Sequence, residues 1–274
     1  MSAYMQHKDL SKEDLPTERG REIADGVHRV MERMAEAEAA AGRRPGDVRL
    51  LAATKTRDVG EIMAAIDAGV RLIGENRPQE VTAKFEGLTR QCAQRQLALG
   101  QRQGPGSVAG PSSCIGFHLI GQLQSNKINK ILPCVDTVES VDSLELADKL
   151  GKRAQARGLS VGVLLEVNES GEAAKSGCSP DEAEELAYRI AGTEGLSLRG
   201  LMTIGAHVDD ERTIRRGFAH LRGLRDRVRD SGEAGTDSCR ELSMGMTGDM
   251  AYAIAEGSTI VRVGAAIFGK RAFI

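Results

Sequence analysis

Between residues 17 and 41 apolar side chains recur three and four apart, at Ile23, Val27, Val30, Met31 and Met34, with Arg and Glu between them. That spacing predicts an amphipathic helix, and Gly42 marks its end. From Val48 onward the pattern changes to short apolar runs that alternate with helix-period stretches. The runs predict strands at residues 48–55, 71–74, 117–121, 137–139, 161–168, 198–204, 241–244 and 259–263. Among the intervening helices, Ile214, Phe218, Leu221, Leu224 and Val228 repeat at helical spacing. Pro180 followed by Asp181 starts another helix, ahead of Leu186 and Ile190.

Eight β units separated by helices point to an α/β fold, a parallel sheet closed into a (β/α)8 barrel of the TIM type; a doubly wound open sheet gives the same alternation. Two details favour the barrel. Little sequence follows the eighth strand, which leaves small room for a last helix, and the extra N-terminal helix can cover that gap. A barrel of ~250 residues consumes nearly all of a 274-residue chain that is 41% hydrophobic. The expected organisation is therefore one domain over residues 17–274 behind a flexible extension, residues 1–16. Residues 91–113, rich in Gln, Gly, Ser and Pro without a sustained apolar period, read as a mobile insertion.

Charge narrows the function classes. With 37 basic and 39 acidic residues the formal charge is -2, so nothing global favours nucleic acid or an anionic membrane. The N-terminus lacks an apolar signal core and no stretch approaches ~18 apolar residues, so the expectation is a soluble cytoplasmic protein. Cys92, Cys114, Cys134, Cys178 and Cys239 are odd in number, widely spaced and without a CxxC pair, which argues against a disulfide framework or a zinc site. No metal is expected.

Candidate chemistry gathers after the strands, where barrels of this kind carry their reactive groups. Lys55 ends the apolar run LLAATK. An amine at the rim of a core can be nucleophilic and form a Schiff base, although the position alone suits a snorkelling or salt-bridged lysine as well. Glu75, placed to pair with Arg77 or Lys127, and Asn76 follow the second strand. His118 lies within the third, where a satisfied core histidine is the ordinary reading. After the seventh strand Ser243, Gly245 and Thr247 precede a helix beginning near Gly248 and Asp249. After the eighth, Gly264, Ala265 and Ala266 would let a ligand approach the backbone closely, with Arg262 two residues earlier. Loops after strands seven and eight frequently bind phosphate in such barrels. A Schiff-base lysine facing a phosphate cup is the layout that pyridoxal 5'-phosphate requires. A cofactor-free, Lys-dependent aldolase acting on a sugar phosphate is a competing class.

Six motifs occur in order: ATK at Lys55, IGENRPQE from Ile73, FHLIGQLQSNK from Phe117, KSG from Lys175, GLMTIGA from Gly200, and LSMGMTGDMAYAIAEGSTIVRVGAAIFGKR from Leu242. Together they resemble the pyridoxal phosphate homeostasis protein family (YggS/PROSC), similar to the barrel of alanine racemase. The resemblance implies a single barrel that binds pyridoxal phosphate and buffers or delivers it to apo-enzymes, with no catalytic residue assigned. It implies Lys55 as the aldimine lysine and Asn76 beside the ring. Ser243, Gly245, Gly264 and Ala265, with Thr247 in the same loop, would hold the phosphate, and Arg262 would face the pyridine nitrogen. The alternative within the same cofactor class is an amino-acid racemase. Racemases of this fold take a tyrosine from a second domain, and this sequence stops short of one, which also removes one dimer contact and leaves room for a monomer. The chain departs from the family pattern at Phe117, where Trp is usual, at Gln122, and at Thr247, where Ser is usual. The last change keeps the hydroxyl.

Overall fold

The computed structural model describes residues 9–100, 113–170, 176–205 and 208–270. Helix α1 (Thr17–Ala40) turns Ile23, Val27, Val30 and Met34 into the core, as the spacing requires. The strands that follow are β1 (Arg49–Ala53), β2 (Leu72–Glu75), β3 (Ala98–Leu99), β4 (Cys114–Leu119), β5 (Thr137–Val141), β6 (Val161–Glu166), β7 (Leu196–Met202), β8 (Glu241–Ser243) and β9 (Ile260–Val263). Each predicted strand matches one of these, offset by a few residues at the ends. The two-residue β3 was not predicted, being too short to leave a pattern.

All pairings are parallel, and β2 bonds β4 as well as β1, so that β1, β2 and β4–β9 close into an eight-stranded barrel. Closure leaves β3 outside the ring, bonded to β4 alone. The helices α2 (Val59–Asp67), α3 (Pro78–Gln94), α4 (Ile128–Ile131), α5 (Leu144–Gln155), α6 (Pro180–Ala191), α7 (Glu211–Asp230) and α8 (Met250–Ala255) return the chain between strands. The last, α9 (Ala265–Phe268), has only four residues. Helix α1 packs against α2, α8 and α9 and so covers the gap that a longer terminal helix would fill.

Two expected boundaries change. The expected insertion begins at residue 91, yet α3 continues to Gln94 and β3 extends the sheet, so regular structure occupies its first part; residues 101–112 lie outside the described residues. Within the N-terminal extension, residues 1–8 are likewise outside. From Asp9 on it packs: Leu10 is buried, and the Leu10 and Lys12 carbonyls accept from the Val59 and Gly60 amides. The Glu13 carboxylate takes Arg90 and Gln91 of α3.

Most apolar side chains lie between sheet and helices. The barrel interior is divided. Leu51, Leu72 and Ile260, with Ile120, form a small apolar cluster apart from the main core. Across from it the interior is polar, with His118, Thr137, Glu139, Ser243 and Arg262 all buried. Strands of a TIM barrel normally fill this space with branched apolar residues. Here a hydrogen-bonded ionic network does so, and it leads to the C-terminal mouth. Among the described residues no helix is long and apolar enough to cross a membrane.

Candidate functional site

At that mouth the loops after β1, β2, β4, β7, β8 and β9 enclose a cavity of about 310 Å³. This is the lower range for a small-molecule site. Six of the eight residues expected around the cofactor line it: Lys55, Asn76, Thr247, Arg262, Gly264 and Ala265. Arg57, Ile120, Met202, Ile204 and Met246 complete most of the wall. Sequence reasoning had not assigned Arg57, which is pinned by Glu61 and by the Gly269 and Lys270 carbonyls. It stacks 5.5 Å from the Phe268 ring centroid.

Lys55 is half-buried at the end of β1, and its loop is held from behind. Thr56 adopts a left-handed φ of 67°. A β-branched residue there carries strain of about 1–2 kcal/mol. The Thr56 amide donates to Glu80 Oε2 at 2.6 Å, which keeps the turn in place. The Thr54 carbonyl accepts from Lys84 Nζ at 3.0 Å. Lys84 is fully buried and also donates to Glu75 Oε1 at 2.6 Å and Glu80 Oε2 at 3.1 Å. Glu75 therefore faces the helix layer, where it meets Lys84 rather than the expected Arg77 or Lys127. The signal available was the i,i+4 pair Glu80–Lys84 on α3.

One ammonium between two dry carboxylates leaves one of them better off protonated. Burial, opposed by Lys84, pushes Glu75 up to about 7 from 4.5. Its folded pKa is thus above its unfolded one, so the stability it contributes is complete below pH 4.5 and is lost as pH rises through 7. The unfolding free energy of the wild type minus that of Glu75→Gln should fall by about 3 kcal/mol between pH 4.5 and 7.5 in denaturant titrations. A difference that stays constant over this window would refute the buried shared proton.

Asn76 follows β2, and its side-chain Oδ1 is buried without a hydrogen-bond partner. A buried amide oxygen without a partner keeps its capacity to accept a hydrogen bond. Its backbone is held close by Gly121: a Cβ there would lie 2.3 Å from the Asn76 carbonyl oxygen, so only glycine fits.

Arg262 comes up from β9 and is 7% exposed, at the cavity floor. Its NH1 donates to the Ser243 carbonyl and to Ser243 Oγ, each at 2.7 Å, and NH2 donates to the Thr203 carbonyl at 2.7 Å. A guanidinium has five N–H donors, so these three contacts leave two. Burial pulls its pKa below the ordinary arginine value, against the raising effect of Glu139, Asp249 and Glu166.

Ser243 and Gly245 do not line the cavity. The Ser243 hydroxyl is fully buried and donates to Glu139 Oε2 at 2.6 Å while accepting from Arg262, so it cannot also reach a phosphate. Gly245 has φ 95°, and a Cβ would meet that of Ala253 at 2.5 Å. It shapes the turn, its carbonyl accepting from the Arg262 amide at 2.9 Å. Just after β9, a Cβ on Gly264 would lie 3.2 Å from the Ala53 carbonyl oxygen. Lys175 and Ala206, from the fourth and fifth motifs, lie outside the described residues.

The family model for the alanine racemase N-terminal domain matches residues 29–272. A pyridoxal phosphate homeostasis protein of Pseudomonas aeruginosa is 38% identical over 249 residues, 91% of this chain and 96% of that protein. The crystal structure of an unknown protein from Bifidobacterium adolescentis superposes with a TM-score of 0.90 at 66% identity, covering 95% of this chain and all (100%) of that one. PipY of Synechococcus elongatus, in a structure with PLP bound, superposes with a TM-score of 0.67 at 30% identity, over 86% of this chain and 100% of PipY.

Proposed function

Because the chain belongs to the pyridoxal phosphate homeostasis proteins and carries the alanine racemase N-terminal domain, we propose that it holds pyridoxal 5'-phosphate on Lys55 and buffers or delivers it. The carrying observation is the convergence of Lys55, Asn76, Arg262, Gly264 and Ala265 on one cavity. The residues fit the group. Its aldehyde needs an amine at the rim, its ring nitrogen a donor on the floor, and its phosphate an approachable backbone. When bound, the cofactor supplies a carbonyl that condenses with amines and a ring that withdraws electrons.

In this reading Lys55 is the attachment point and Thr56, locked to Glu80, fixes its direction. Thr247, Gly264 and Ala265 hold the phosphate. The unpartnered Asn76 oxygen lies beside the ring and accepts from a donor there. Arg262 directs its remaining N–H groups to the ring nitrogen. A guanidinium stays protonated, so it donates a hydrogen bond without giving up a proton, and the ring remains a weak electron sink. That favours holding the cofactor over turning over a substrate. In this reading a monomer is the working unit. Five free cysteines suit the reducing cytoplasm, and the recipients are apo-enzymes that use the same cofactor.

Titrating purified protein with pyridoxal 5'-phosphate should produce visible Schiff-base absorbance that hydroxylamine removes, and Lys55→Ala should show none while keeping its melting temperature. A colourless wild type, or a Lys55→Ala protein as coloured as wild type, would overturn the reading.

A further inference from the structure

The polar half of the barrel interior has a continuity that the cavity alone does not explain. Arg262 NH1 donates to Ser243 Oγ, whose hydroxyl donates to Glu139 Oε2 at 2.6 Å. Glu139 Oε1 meets His118 Nδ1 at 2.6 Å, and the other ring nitrogen, Nε2, lies 3.4 Å from Asp136 Oδ1. The chain of contacts crosses the barrel from β9 through β8 and β5 to β4, and joins residues as far apart as Ser243 and Glu139. His118, Glu139 and Ser243 are each no more than 2% exposed, so their charges act in a weakly screened interior.

We propose that Ser243, Glu139 and His118 are positioning residues that orient the Arg262 guanidinium and supply its counter-charge, thereby setting the field that Arg262 presents to a bound ring nitrogen. This rests on the reading that Lys55 carries pyridoxal 5'-phosphate with its ring over Arg262. Three hydrogen bonds, to Ser243 and Thr203, hold the guanidinium in one orientation and leave two donors uncommitted in a side chain that lines the cavity. Thr203 is itself anchored, its hydroxyl donating to the Val167 carbonyl at 2.7 Å. Ser243 is the only one of these contacts that also reaches a carboxylate.

The charged groups around the chain are Asp136, Glu139, Glu166, Glu241 and Asp249, with His118 and Arg262 as the cations within it, Arg199 on Thr137 beside Asp136, and Arg49 paired with Glu241. Burial lowers the His118 pKa, but the Glu139 hydrogen bond and the charges of Asp136, Glu139 and Glu241 outweigh it and raise it overall. For Glu139 burial acts upward and is outweighed by His118, Arg262 and Ser243, so it stays ionised. The two residues form an ion pair behind Ser243. Glu139 is therefore shared between His118 and Arg262, and replacing it changes the charge felt at the cavity without touching a cavity residue.

The test compares wild type, Glu139→Gln, Ser243→Ala and, as a packing control on β5, Val138→Ala. In cofactor-loaded protein the pH titration of the visible spectrum reports the Schiff-base pKa. Removing one buried negative charge disfavours the protonated form, so Glu139→Gln should lower that pKa by about half to one unit at an effective dielectric near 20. Ser243→Ala should speed cofactor loss about 10-fold, the effect of one charge-assisted hydrogen bond. Val138→Ala should lower the melting temperature yet leave the spectral pKa unchanged. In the apo-protein, nitrogen NMR should show the His118 Nδ1 resonance shifting on Glu139→Gln, because that nitrogen loses its carboxylate partner.

A Glu139→Gln protein with the wild-type spectral pKa, while the wild type shows Lys55-dependent absorbance, would overturn the proposal and leave the cofactor reading standing. If Glu139→Gln does not fold, a Ser243→Ala protein that releases the cofactor at the wild-type rate would overturn it equally. Wild type without Lys55-dependent absorbance would overturn both.

Discussion

Replacing Lys84 by Met is expected to cost about 3–5 kcal/mol of stability at pH 7, the usual consequence of removing one partner from a buried ionic group. Lys84 and Glu75 are fully buried and Glu80 is 1% exposed, so no water can take over the lost contacts. Met fills the space of the stem but leaves two carboxylates facing each other, and both must then be protonated. For a chain of this size the loss corresponds to roughly 6–20 °C in melting temperature. The sign with pH is definite: the carboxylates protonate more easily in acid, so the deficit should shrink from pH 7 to pH 5. Adding Glu75→Gln and Glu80→Gln to the Lys84→Met protein should recover most of the loss. Calorimetry at the two pH values checks this, and a melting temperature within 1 °C of wild type would contradict the network. Because Glu80 also holds the Thr56 amide and Lys84 the Thr54 carbonyl, the same variant should react with pyridoxal phosphate more slowly.

Arg262→Gln carries the second large effect. The neutral amide is too short to reach both the Ser243 and Thr203 carbonyls and brings no charge, so Glu139 keeps His118 and the Ser243 hydroxyl but loses the Arg262 cation. Losing one charge-assisted hydrogen bond to the cofactor ring costs about 1.5–3 kcal/mol, or roughly 10- to 150-fold in affinity. Equilibrium titration of the apo-protein, followed by the visible band, measures this. Affinity within twofold of wild type would place the ring elsewhere in the cavity. Folding should survive less well than binding alone predicts, because the buried Thr203 carbonyl loses its donor and the Ser243 carbonyl keeps only the Thr203 amide.

The barrel was legible because its strands are short apolar runs between polar, helix-period segments, and each run carries that contrast locally. The cavity residues were legible for a different reason: barrel chemistry sits just after the strands, so position in the pattern implies position in space. What escaped depends on contacts that no local pattern contains. Lys84 sits on α3 at a position where a charged residue normally reads as surface, and only the packing of α3 over β2 buries it. Ser243 looks like a loop hydroxyl available to a phosphate, yet β8 turns it inward to meet Glu139 across the barrel. Arg57 belongs to the first turn after Lys55, and its role at the cavity depends on Phe268 and Gly269 near the other end of the chain. The start of the insertion was misplaced because residues 91–94, Gln-Cys-Ala-Gln, offer one small apolar anchor, Cys92, which the last turn of α3 buries.

The central claim is that Lys55 is the amine that carries the cofactor. Borohydride reduction of the pyridoxal phosphate-loaded protein, followed by peptide mapping by mass spectrometry, tests it most directly. The account predicts one dominant phosphopyridoxyl modification, on the peptide containing Lys55, and its disappearance in Lys55→Ala. A modification found mainly on another lysine, with Lys55 unmodified, would contradict it.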